Sequence, residues 1–131
     1  MLKLLTAALA LAVAVPALAA PVAPAAACPA GKLQRVRVSE IIPGGSLAGF
    51  REAFADHARW YAAHGYKADR LTFSPVMSES GRRRGAGQRL VTIHTGVSNV
   101  PRDKQDAAWK AFAAKYKANS RIVSTTLTCM T

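Results

Sequence analysis

The hydrophobic period of this chain switches repeatedly between Lys32 and Met130, and the order of the switches leaves few chain paths open. KLQRVRVSEII (Lys32–Ile42) alternates, with Val36 and Val38 on one side and Arg35 and Arg37 on the other, which predicts a half-buried strand. PGGS stops it, and Ser46 is placed to cap the next element. From Leu47 to about His64, Leu47, Phe50, Phe54, Ala58 and Tyr61 recur at three and four residues, one apolar stripe of an amphipathic helix closed by Gly65. RLTFSPVM (Arg70–Met77) reads as a second strand with Leu71 and Phe73 inward, and RLVTIHTGV (Arg89–Val97) as a third, beyond the glycine-rich turn SESGRRRGAGQ. Pro101 and Asp103 suit the first turn of another helix, whose stripe is Trp109, Phe112, Ala113 and Tyr116. RIVSTTLTCM (Arg121–Met130) closes the chain as a β-branched strand.

The order β-α-β-β-α-β is the split βαβ arrangement of ferredoxin-like folds. It predicts a single α+β domain over 32–131, a four-stranded antiparallel sheet with the first and third strands central and two helices on one face. The last strand then runs beside the first, so Cys129 at its end comes near Cys28, just before the first strand begins. Two cysteines, and only two, read as one disulfide in an exported protein. Export is read from residues 1–19: Lys3, an apolar run to Val15, then Pro16 and Ala17-Leu18-Ala19, the pattern of a secretory signal. An Ala/Pro-rich leader over 20–31 separates it from the domain. Ala25-Ala26-Ala27-Cys28 also resembles a lipoprotein signal, the lesser alternative to the disulfide. No segment is long and apolar enough to predict a transmembrane span. The expected compartment is therefore the periplasm or the exterior.

A lone domain of about a hundred residues with this element order resembles the dimeric α/β-barrel superfamily, which includes antibiotic-monooxygenase-like proteins. The resemblance covers Lys32 to Met130. It implies a symmetric homodimer with sheets face to face, and a ligand pocket between sheet and helices lined partly by the first helix.

FADHARWYAAHGY (Phe54–Tyr66) holds two histidines, a tryptophan and two tyrosines. His57 lies at the boundary of the stripe, one turn from Tyr61, and a near-neutral imidazole there would suit proton transfer. His57 and Tyr61 are the catalytic candidates for a monooxygenase-like or isomerase-like reaction. The plainer reading makes both histidines amphipathic boundary residues and sets Trp60 over a dimer interface. His57 and His64 are seven positions apart, about 10 Å along a helix, too far to share a metal ion. No zinc spacing, P-loop, dinucleotide fingerprint or haem motif occurs, so no metal and no cofactor is predicted. Gly44-Gly45-Ser46-Leu47-Ala48 stands where a nucleophile elbow would, but an N-cap accounts for Ser46.

If Val36, Val38, Val91, Ile93, Val123 and Leu127 face the helices, the open sheet face carries Arg35, Arg37, Thr92, His94, Ser124, Thr126 and Thr128. Arg35, Arg37 and His94 could then bind a carboxylate or phosphate. That face reads equally as the wet side of a monomer. A formal net charge of +11 favours anionic partners, and export disfavours nucleic acid. Arg82, Arg83 and Arg84, flanked by glycines, are candidates for gripping an acidic glycan or lipid head groups. The leading expectation is an exported ligand-binding domain of basic character, leaning away from an enzyme.

Overall fold

The computed structural model describes residues 28–29, 32–77 and 87–130. Strand β1 (Leu33–Ile41), helix α1 (Leu47–Ala63), strands β2 (Arg70–Pro75) and β3 (Arg89–Thr95), helix α2 (Ala107–Asn119) and strand β4 (Ser120–Cys129) follow in that order. The sheet is antiparallel with order β2-β3-β1-β4, so the first and third strands are central, and the α+β ferredoxin-like expectation is met. Both helices pack on one face of the sheet. No helix among the described residues is long and apolar enough to cross a membrane.

Ser46 caps α1 as expected, its Oγ accepting the Gly49 amide at 2.9 Å. The same hydroxyl lies 3.3 Å from Asn119 Oδ1, which also accepts the Ser46 amide at 2.9 Å. Those contacts occupy Ser46 and leave it no role as a nucleophile. A Cβ at Gly45 would strike the Asn119 backbone, which explains a glycine at that crossing. The start of the second helix departs from the sequence reading. Arg102–Lys104 form a separate 3-10 turn, and α2 begins only at Ala107, because the Asp106 carboxylate caps it by accepting the Trp109 amide. β2 ends at Pro75, a residue that suits an edge strand because it has no N–H to donate.

The two sheet faces are the reverse of the expected ones. Leu33, Ile41 and Leu90 are buried toward the helices, at 8%, 7% and 0% exposure. Side chains alternate along a strand, so these three residues decide the parity of everything between them. On β1 the inward set is Leu33, Arg35, Arg37, Ser39 and Ile41, and on β3 it is Leu90, Thr92 and His94. Val36 pairs with Ile93 and Val38 with Val91 on the opposite, open face. Of the residues assigned to the open face, Ser124, Thr126 and Thr128 stay there, opposite Val38, Val36 and Gln34. Leu127 lies on the helix side as expected, opposite Arg35, and Val123 falls at a register shift. An alternating strand carries two period-2 sets, and here the β-branched set of β1 and β3 faces away from the helices.

Cys28 and Cys129 form the disulfide, with Cα atoms 5.6 Å apart and a sequence separation of 101. The fold supplies that proximity independently, since Leu33 pairs with Cys129 and the Met130 amide donates to Lys32 O. Cross-linking so long a loop removes mainly unfolded-state freedom. Replacing both cysteines by serine should therefore lower stability by about 2–4 kcal/mol with the fold intact. Urea denaturation of the two forms at equal pH measures the difference.

Candidate functional site

Helix α1 divides FADHARWYAAHGY between two tasks. Trp60 and His64 turn toward the start of α2. The Trp60 indole donates to Asp106 Oδ1 at 2.9 Å, while the His64 ring stacks on Trp60 at 4.0 Å and sets Nε2 3.1 Å from Asp106 Oδ2. The Trp109 amide, and then the Trp60 indole, hold the Asp106 carboxyl below its usual range. Trp60 is 3% exposed within its own chain, so it does not cover a dimer interface. These residues fasten one helix to the other.

The other side of α1 faces a cavity of about 600 Å³ between sheet and helices, within the usual range for small-molecule sites. Its helical wall is aromatic: Phe50, Phe54 and Tyr61 from α1, and Trp109, Phe112 and Tyr116 from α2. Its sheet wall is polar: Arg35, Arg37 and Ser39 from β1, and Thr92 and His94 from β3. The inversion of the sheet faces thus gathers Arg35, Arg37, His57, Tyr61 and His94 into one chamber, where the sequence had put them on two surfaces. Arg82, Arg83 and Arg84 lie outside the described residues.

No carboxylate lines the cavity among the described residues, and several nearby are paired with other cations. Asp56 pairs with Arg59 and Lys115, Glu40 with Arg121, Asp106 with His64 and Asp69 with His94. Arg35 and Arg37 have no ion pair and no side-chain hydrogen bond among the described residues, and the buried Arg37 Nε is without a partner. Burial, followed by the charge of Arg35, lowers the Arg37 pKa. A desolvated cation with unspent donors is unfavourable unless something anionic completes it. Two guanidinium groups at alternate positions of one strand therefore put positive charge on the sheet wall of the cavity.

His57 is not the near-neutral acid or base that its sequence position had offered. It stacks on Phe112 at 4.5 Å with its Nδ1 3.4 Å from the Tyr116 hydroxyl. Burial, then the charges of His94, Arg37 and Arg35, hold its pKa down to about 3. Burial and the Asp69 charge push Tyr61 up to about 12, so its phenol keeps its proton. Both are neutral hydrogen-bonding groups at physiological pH.

His94 has a different setting, one that involves two residues the sequence reading passed over. Asp69, in the turn before β2, has a fully buried side chain. Its Oδ1 accepts from His94 Nε2 at 2.5 Å and from the Ser98 amide at 2.9 Å, and its Oδ2 accepts from the Ser98 hydroxyl at 2.5 Å. Ser98 is delivered by a tight turn in which Gly96 has φ +90° and Val97 φ +42°. A Cβ at Gly96 would meet the Ala68 carbonyl at 2.8 Å, so the two loops approach closely only because of that glycine. Gly96 is the one sign in the sequence of a close backbone approach here, and nothing in it points to Asp69 as the partner of Ser98. Among the described residues no three His, Cys, Asp or Glu side chains converge as metal ligands would.

No protein-family model, curated protein or solved structure matches the chain. Its chemistry is therefore read from the cavity itself.

The buried histidine makes a pH prediction. Folding withholds a proton from His57, which would titrate near 6.5 when unfolded and near 3 when folded. Its contribution is whole at neutral pH and is lost as pH falls below the unfolded value, by about 2 kcal/mol at pH 5. His57→Phe should flatten that decline between pH 7 and pH 5. Urea melts of both proteins across the interval measure the slopes.

Proposed function

We propose that this chain is an exported binding domain for a small amphipathic anion, a carboxylate or phosphate carried on an apolar or aromatic body. The observation that carries the reading is the half-buried Arg37, whose buried Nε has no partner, beside Arg35 in a cavity whose facing wall is aromatic. The anionic group would lie on the two arginines, where charge-assisted hydrogen bonds are strong, and the body against Phe54, Tyr61 and Phe112. The disulfide supports an oxidising compartment, periplasmic or extracellular. The secretory signal that motivates export lies outside the described residues, as does the arginine turn proposed for polyanions.

A symmetric homodimer is the second element of this reading. Val36, Val38, Val91 and Ile93 give the open sheet face an apolar centre, a better surface for a second sheet than the polar face expected from sequence.

Binding is tested with 2-naphthoate and its neutral analogue 2-naphthylmethanol, followed by calorimetry. The anion should bind at least tenfold more tightly than the alcohol. Arg37→Met should weaken 2-naphthoate by about 10–100-fold, the worth of a hydrogen bond to a charged group, and leave the alcohol unaffected. The same variant should keep or raise the ligand-free melting temperature, because it removes a desolvated charge. Equal affinity of Arg37→Met and the parent for 2-naphthoate would rule the arginine wall out as the anion site.

A further inference from the structure

We propose that Asp69 and His94 form a general-base dyad that moves a proton on carbon in the bound anion, so that the cavity catalyses tautomerisation of a 2-oxo acid with an apolar side chain. The proposal rests on the anion-binding reading and adds a reaction to it.

Three observations converge. Asp69, acting as acceptor to His94 Nε2, fixes the ring as the tautomer whose Nδ1 carries a bare lone pair. That Nδ1 has no hydrogen-bond partner among the described residues, and the ring lines the cavity. Second, His94 lies directly across the strand pair from Arg35, with side chains on the same face. Cross-strand neighbours have Cβ atoms about 5 Å apart, so an anion held on the arginines would share one wall of the cavity with the imidazole. Third, the Asp69 carboxylate is locked by Ser98, whose position depends on a valine at φ +42°. Backbone strain of this kind, worth about 1–3 kcal/mol, persists where surrounding structure enforces it. Here it serves the orientation of one histidine.

The step balances without a redox partner. His94 Nδ1 takes a proton from the carbon next to the substrate's keto group. The C–H electron pair becomes the C=C bond of an enolate, and the carbonyl π pair moves onto oxygen. Arg35 and Arg37 face that developing charge, and Asp69 faces the imidazolium. Return of the proton to carbon regenerates the keto acid, and its delivery to oxygen gives the enol. His94 is the catalytic residue in this scheme and Asp69 a positioning residue. The groups facing His94 are Asp69, Tyr61 and His57 and, from β1, Arg35 and Arg37. Tyr61 and His57 titrate near 12 and near 3, so neither of them supplies an ionisation in the neutral range. Burial moves the His94 pKa below its ordinary value, against the opposing effect of Asp69. The rate should therefore rise through one ionisation below pH 6.5 and then level off.

The experiment follows exchange of the C3 protons of phenylpyruvate in deuterated buffer by proton NMR, using the oxidised chain, with binding measured in parallel by calorimetry. The parent protein should accelerate exchange well above buffer and above free imidazole at equal concentration. His94→Gln should reduce the acceleration at least 100-fold while holding affinity within threefold. Asp69→Asn, which offers an amide donor to Nε2 and so favours the wrong tautomer, should reduce it similarly and displace the ionisation in the pH–rate profile. Nitrogen NMR of the parent should find His94 Nδ1 unprotonated at pH 7.5, a readout that needs no variant to fold. Binding of phenylpyruvate with exchange at the buffer rate would overturn the dyad and leave the anion-binding reading standing. Failure of phenylpyruvate to bind would overturn both, and a proton on Nδ1 would overturn the dyad alone.

Discussion

The parity of two central strands governs the rest of this molecule. Burial of Leu33 and Ile41 at the ends of β1, and of Leu90 at the start of β3, turns every alternate side chain between them toward the helices. Those alternate residues are Arg35, Arg37, Ser39, Thr92 and His94, too polar to be packed shut. The space above them consequently stays open and is roofed by aromatic rings. A one-residue change of parity would have made a valine core and left a solvated basic face. The anchors prevent it, because reversing them would expose Leu33, Ile41 and Leu90 together.

Much of the fold was legible in sequence because it depends on order and punctuation. The changes of period, the PGGS stop, the Ser46 cap and the cysteine pair gave the topology, and strand β4 came to lie where Cys28 could reach Cys129. Side-chain facing was less legible. Val36, Val38, Val91 and Ile93 look more like a core than Arg35, Arg37, Thr92 and His94, and hydrophobicity alone prefers them. The preference fails where a sheet encloses a chamber instead of a packed core. Asp69 was invisible for another reason: its meaning comes from Ser98 and His94, 29 and 25 positions away, joined by a loop approach that only Gly96 permits.

The cavity keeps its ionisable groups apart by environment. His57 and Tyr61, side by side on α1 with rings 5.2 Å apart, are both driven to their neutral forms by burial. Arg35 and Arg37 carry the positive charge, and Asp69 supplies a negative one that is spent on His94 and Ser98. Divergent settings of this sort are how one small site can hold an anion and a base together. They also explain why the residue richest in sequence promise, His57, has the most inert imidazole in the chamber.

The helix pair is pinned at both ends. Asp106 joins the end of α1 to the start of α2 through Trp60 and His64, and Asn119 joins the end of α2 to the start of α1 through Ser46. These contacts hold the two helices to each other as one unit above the sheet. Ser120, Arg121 and Ile122 line the chamber along the flank beside β4, an edge strand exposed over most of its length. A molecule that settled on that flank would touch the chamber's lining without touching Arg37 or His94.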